Sequence, residues 1–466
     1  MNESRRIPYQ TSGGPAKLLG PLIGLVFSVL GPRLGLTPAA SRTAGVTAWC
    51  AIWWVTEAVP IGATSLLPFV LFPFLGVLTP LQLAEAYGHP VILLLLGGFM
   101  LSVALEQSGT HRRLAMALLQ RVGGRSGPHL VLAFMATAAL LSMWISNSAT
   151  TLMLLPVAIA VVGRDRSNEP LQRALFLGIA YAASIGGMAT PIGTPPNAIF
   201  MGIFEQHFGK QLSFVWWMSI GVPCTVLLLP MAWWWLSRKL NSGEMLVFEP
   251  PTEPWSKRER RVLWVFGVIA VLWTTRTAPF GGWGGAVAPN VSDGTVALAG
   301  VLAMFSVPGG DGRALLTWKA AGSIPWHLLL LFAGGIAIAK AFTSSGLSAA
   351  IAANLGDIAA WPAPIMIASL CVVVTFLTEV TSNTATATLL MPLLASAASS
   401  LGLPATQLMV PAALTCSCAF MLPVSTAPNA IVFATGRLRI HHMVRAGLVL
   451  NLCGVVVITL VSLLLL

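Results

Sequence analysis

The sequence predicts an all-α polytopic membrane protein built on an internal repeat, and three observations carry that prediction. The 466 residues are 56% hydrophobic and only 9% charged, with a mean hydropathy of +0.81, whereas a soluble chain carries roughly 25% charged residues. So few charges cannot wet a surface, which disfavours a soluble enzyme, a nucleic-acid binder and a disordered chain together. Glycine (44) and proline (32) are abundant, as lipid-embedded helices tolerate when neighbours re-satisfy the freed backbone groups. Third, polar Ser-Asn motifs recur at matched places in the two halves of the chain.

A bilayer core takes about 20 apolar residues per helix, so the elements can be counted in order. Apolar runs near 17–36, 43–59 and 61–78 read as crossing helices. The stretch 89–120 has an apolar half, then Ser108-Gly109, then an amphipathic half, and reads as a re-entrant hairpin. Residues 128–145 cross, 149–163 and 174–204 are apolar but broken by Pro, Gly or Asn, and 215–237 cross again. A polar linker follows at 238–261. The second half repeats the plan: crossings at 261–275 and 294–307, a hairpin at 325–353, a crossing at 362–380, broken stretches at 385–400 and 408–435, and a last crossing at 446–466. That makes about eleven spans and two hairpins, in repeats 1–237 and 262–466.

The net charge of +11 comes from short loops: Arg112, Arg113, Arg121 and Arg125; Arg164 and Arg166; Lys257, Arg258, Arg260 and Arg261; Arg437, Arg439 and Arg445. This positive-inside pattern needs no partner beyond anionic lipid. It places the N-terminus and the 238–261 linker in the cytoplasm of a cell (plasma) membrane protein, with an odd number of spans leaving the C-terminus outside. Arg5, Arg6 and Lys17 precede the first apolar run without a small-residue cleavage signal, so no removed signal peptide is expected. All six cysteines lie in apolar stretches without paired spacing, as packing residues do.

The repeat can be read residue by residue. Gly97-Gly98 and Ser108-Gly109 match Gly334-Gly335 and Ser345-Gly346; Ser146-Asn147-Ser148 matches Ser382-Asn383-Thr384; Thr194-Pro195-Pro196-Asn197 matches Thr426-Ala427-Pro428-Asn429. Asn and Ser favour caps and turns over helix interiors, so a helix opens at each Ser-Asn motif, and Pro195, Pro196 and Pro428 break a partner helix in each half. An opened helix turns N–H groups toward an anion and free carbonyls toward a cation. Discontinuous helices in two repeats point to a secondary transporter with its site at the repeat interface. Neither motif holds Arg, Lys or His, so a doubly negative ligand is costly there unless cations enter with it.

These residues resemble the divalent anion:sodium symporter family, the sodium-coupled di- and tricarboxylate and sulfate transporters. The resemblance spans essentially the whole chain. It rests on Trp53-Trp54-Val55-Thr56-Glu57-Ala58-Val59-Pro60, both Ser-Asn motifs, Gly193-Thr194-Pro195-Pro196-Asn197 and Thr378-Glu379. It implies homodimers of two inverted repeats, with scaffold and transport domains moving elevator-fashion. By position it implies one sodium site at Ser142, Ser146, Asn147 and the Gly193 backbone, and another at Thr378, Ser382, Asn383 and the Ser425 backbone. Substrate carboxylates would meet Asn147, Ser148 and Thr194 on one side and Asn383, Thr384 and Thr426 on the other. The implied activity is sodium-coupled import of a C4-dicarboxylate, with sulfate, a tricarboxylate or sodium-independent exchange as alternatives. Ser148 stands where dicarboxylate carriers of the family usually have Thr, and Ala427-Pro428 where two prolines are common.

Other residues take blander readings. Glu57 and Glu379 read as structural, Glu106 and Lys340 as solvated near the hairpin bends, and the Trp groups as interface anchors. His441-His442 lacks a third metal ligand. Gly281-Gly282 and Gly284-Gly285 lack the Lys of a phosphate loop, so no ATP site and no cofactor are expected. An intramembrane enzyme would need a His-Glu-x-x-His helix, an Asp pair or a Ser with a His base, and none accompanies either motif.

Overall fold

The computed structural model describes residues 14–122, 126–162, 169–240, 254–353 and 361–466. Arg125, Arg164, Arg166 and most of the expected linker, 241–253, lie outside these. The described residues are helical throughout, with a single isolated bridge, Pro308 to Ala314, and no longer strand. Seven helices among them are long and apolar enough to cross a membrane, from Gly14–Arg33 to Ile440–Leu465. Their outward faces carry bare apolar side chains such as Leu18, Leu22, Leu25, Val373 and Leu464, a surface that suits lipid and not water.

Each half ends in the same succession. A long helix ends in a left-handed glycine and gives way to a short one: Pro90–Ser108, Gly109 (φ +76), Thr110–Val122 in the first half, and Trp326–Ser345, Gly346 (φ +78), Leu347–Ala353 in the second. Then come two helices flanking a Ser-Asn motif, a helix, an irregular break, a helix with proline in its first turn, and a long final helix.

The hairpins are not where the sequence places them. Residues 89–120 and 325–353 each hold one helix of crossing length, Pro90–Ser108 and Trp326–Ser345 with 19 and 20 residues, followed by a shorter one, and Ser-Gly there is a C-cap. Glycine is the residue that takes the left-handed cap at no steric cost. Thr110–Val122 is an amphipathic continuation that buries Ala115 and Leu119.

The antiparallel helix pairs are at the motifs. In the first half, a Cβ on Gly178 would stand 3.0 Å from Met135, and one on Gly186 would stand 2.2 Å from the Ala139 carbonyl. Helix Glu169–Gly187 therefore runs alongside Gly127–Ser142 in the same direction, and the intervening helix Asn147–Val162 must run back between their ends. In the second half, Met366, Ala398 and Leu408 pack in one cluster, while at the far end Thr378 donates to the Cys416 carbonyl at 3.0 Å. Ala363–Val380 and Ala405–Thr415 are thus parallel, and Asn383–Leu401 returns against them. Ser-Asn-Ser and Ser-Asn-Thr sit at the turns of these helical hairpins, not inside an opened crossing helix. The true breaks are at 188–194 and 416–426, within the stretches 174–204 and 408–435 that the sequence marks as broken.

Two tryptophans expected at an interface are interior instead. Trp54 and Trp217 are fully buried and donate to the Ser65 hydroxyl at 3.2 Å and the Met188 carbonyl at 2.9 Å. Trp234 stays exposed. Lys340, expected in solvent, pairs with Glu85 at 2.5 Å.

Candidate functional site

The first hairpin tip closes on itself. The Ser142 hydroxyl, at the end of the incoming arm, donates to Asn147 Oδ1 at the start of the outgoing one. The Ser146 hydroxyl accepts the Ala149 N–H at 3.2 Å, a side-chain cap on the new helix. The break 188–194 docks on this tip. Thr190 donates to the Met143 carbonyl at 2.5 Å, and Gly187 faces the Asn147 amide so closely that a Cβ would lie 2.8 Å from Oδ1. Gly193 in turn lies against Gly187.

The second tip has the same plan with different atoms. Thr378 replaces Ser142 and shares its hydroxyl proton between Asn383 Oδ1, at 2.6 Å, and the Cys416 carbonyl. Here the break is held by a carboxylate. Glu379 accepts the N–H groups of Met421 and Leu422 at 2.8 and 3.0 Å and the Asn451 amide at 2.7 Å. Its three donors are all neutral. The structural reading of Glu379 is what the structure builds.

Each break is also stapled by an asparagine one helical turn further on. Asn197 donates its amide to the carbonyls of Gly187 and Thr190 at 3.0 and 2.7 Å. Asn429 donates to the carbonyls of Ala419 and Leu422, both at 3.0 Å. Both side chains are fully buried. Sequence inspection passes over them as site residues, although their place in the matched Thr-x-Pro-Asn pair is a signal.

The two tips and the two breaks converge. One cavity of about 500 Å³ is lined by Ser146, Asn147, Ser148, Gly193 and Thr194 from the first half and by Ser382, Asn383, Thr384, Ser425 and Thr426 from the second. Of the residues expected in the site, only Ser142 and Thr378 do not line it. They stand behind the tips, fully buried, each with its hydroxyl on the amide oxygen of a lining asparagine. The N-terminal residues of four helices, Asn147, Pro195, Asn383 and Ala427, border the same space, so their partial positive ends face it.

The far wall comes from the long helices and the segment before the second of them: Phe99, Ser102, Glu106, Ser323, His327 and Leu328. Glu106 and His327 are the ionisable side chains of this lining. Glu106, expected in solvent, accepts Ser102 at 3.4 Å. Nothing in the sequence singles out His327, an isolated histidine at a helix start. The arrangement can hold an anion on hydroxyls, amides and helix ends, with clusters of oxygen ligands of the hard kind that alkali and alkaline-earth cations take.

The chain is similar to proteins of known class over almost its full length. Residues 51–406 match the family model described as a citrate transporter. The sodium-dependent dicarboxylate transporter SdcS of Staphylococcus saprophyticus is 36% identical over 99% of this chain and 92% of its own. SdcS of Staphylococcus aureus strain MRSA252 is 35% identical over 98% of this chain and 92% of its own. Among solved structures, the Alcanivorax borkumensis YdaH transporter superposes with a TM-score of 0.58 at 16% identity, over 81% of this chain and 86% of that one. Neisseria gonorrhoeae MtrF gives 0.55 at 14%, over 81% and 82%. These two likenesses concern the fold.

Proposed function

Because the chain belongs to the divalent anion:sodium symporter family, we propose that it is a multi-pass secondary transporter of the plasma membrane that imports a small dicarboxylate together with sodium. The observation that carries this reading is the single cavity onto which both Ser-Asn tips open. The SdcS proteins are named as sodium-dependent dicarboxylate transporters, which supports both the coupling ion and the substrate class.

In this reading one carboxylate of a C4-dicarboxylate lies against Asn147, Ser148 and Thr194, and the other against Asn383, Thr384 and Thr426. One sodium takes oxygens from Ser142, Ser146, Asn147 and the Gly193 backbone; another takes them from Thr378, Ser382, Asn383 and the Ser425 backbone. Among the described residues the cavity lining has no Arg or Lys, so the cations supply the charge that a dianion needs in a low-dielectric site. Two inverted repeats, 1–237 and 262–466, a cytoplasmic N-terminus, an elevator-type motion of the tips and breaks against the long helices, and a homodimer complete the proposal. Citrate is the second reading, favoured by a cavity with room for on the order of fifteen waters and by the description of the matched family.

Asn147→Ala and Asn383→Ala test the site. Each is expected to abolish saturable succinate uptake in proteoliposomes while the purified protein stays monodisperse. Normal transport by both would remove these residues from the site.

A further inference from the structure

A second crevice adjoins the substrate cavity at the second tip. It has a volume of about 290 Å³ and is lined by Val55, Glu57, Val380, Thr381 and Val424, and by Ser382, Ser425, Thr426 and Ala427, which it shares with the main cavity. The second tip and its break therefore border both spaces. Glu57 is the ionisable side chain of the crevice, is exposed, and makes no ion pair or hydrogen bond among the described residues. The neighbouring carboxylate, Glu379, is turned away onto Met421, Leu422 and Asn451.

Glu57 also has an unusual backbone. It caps helix Pro38–Thr56 at φ +48, ψ +30, the one non-glycine residue at positive φ among those described. Glycine fills such a cap without steric cost. A glutamate there spends conformational energy to hold a free carboxylate at the crevice wall, and strain of this kind gathers at functional positions.

We infer that Glu57 draws sodium into this crevice and delivers it to the oxygens of Ser382 and the Ser425 region, so that the cation reaches the second half-site by a route the dianion does not use. A carboxylate in a narrow cleft raises the local cation concentration and repels an anion. Among the described residues the adjoining substrate cavity has no Lys or Arg to hinder a cation, but a dianion bound between the two tips would stand in the way. Separate access lets either ligand arrive while the other is in place. The inference rests on the proposal that the second half-site takes sodium.

The test is the sodium-activation curve of succinate uptake in proteoliposomes at constant ionic strength, for the wild type and for Glu57→Gln, Glu57→Asp, Val55→Lys and Ser382→Ala. Glu57→Gln is expected to raise the half-saturating sodium concentration about threefold to tenfold, with the maximal rate and the succinate KM at saturating sodium retained. Glu57→Asp should restore the wild-type curve. Val55→Lys puts a positive charge in the crevice while leaving the Glu57 backbone alone; it should shift the curve the same way and decides the matter if Glu57→Gln fails to fold. Curves for Glu57→Gln and Val55→Lys that superimpose on the wild type, with Ser382→Ala shifted, overturn the sodium route alone. An unshifted Ser382→Ala curve overturns the sodium reading of the second half-site and this route with it.

Discussion

Asn197 and Asn429 each satisfy two or more break carbonyls with one amide, so their removal leaves buried acceptors bare. Such orphans cost about 1–3 kcal/mol each. Asn197→Ala and Asn429→Ala should each lower thermal stability in detergent by a few kcal/mol and reduce uptake at saturating substrate. An asparagine that merely fills space would leave uptake intact when replaced by the isosteric Asp or Leu. Glu379→Gln is the sharper test in the second half: it keeps the shape but turns an amide donor toward groups that donate to the Glu379 oxygens. A buried donor left unsatisfied costs about 1–3 kcal/mol, so destabilisation of that order is expected, read by the melting curve, with no counterpart for Met143→Leu at the matched position of the first half.

At the scale of elements, the breaks at 188–194 and 416–426 were legible because proline punctuates both and glycine the first. The hairpins were misplaced because Ser-Gly and Ser-Asn carry similar local signals: one is a helix cap, the other a turn between antiparallel arms, and only long-range packing separates them. Gly186 and Met366 make that packing visible, and neither stands out in the sequence. Two glycine substitutions measure the difference. Gly109→Ala has no atom within 4 Å of the new Cβ and should cost only the left-handed backbone term, about 1–2 kcal/mol. Gly186→Ala drives a methyl into the Ala139 backbone and should prevent folding, read as loss of the monodisperse peak. A third element contact is sensitive to acid. Arg113 on Thr110–Val122 pairs at 2.7 Å with Glu259 in the first turn of Lys257–Thr275. Burial alone would push that carboxyl up, but bonds from Ser256 and Arg113 outweigh it and hold the group below its usual value. A depressed value means stability present above the ordinary carboxylate range and lost as pH falls through the folded-state value. The melting difference between wild type and Glu259→Gln should therefore be full at pH 7 and shrink below about pH 4.

For the whole molecule, membership of the lipid-embedded class follows from charge scarcity, and eight residues singled out by motif pairing line one cavity together with Gly193 and Ser425, which the family resemblance adds. What motif pairing could not supply is the opposite wall: Glu106, which the sequence reads as solvated near a hairpin bend, and His327, an isolated histidine at a helix start. The energetics of coupling also belong at this scale. Each net charge entering through 100 mV gains about 2.3 kcal/mol, so uptake of a dianion with three sodium ions would accelerate under an inside-negative potential, and uptake with two would not. The central claim is that both half-sites serve one sodium-driven dicarboxylate. Its most direct test is uptake of labelled succinate into proteoliposomes with and without an inward sodium gradient, with unlabelled sulfate and citrate as competitors. Concentrative uptake that requires sodium is the predicted result. Uptake that proceeds equally without sodium and is driven by internal dicarboxylate would contradict it and make the protein an exchanger.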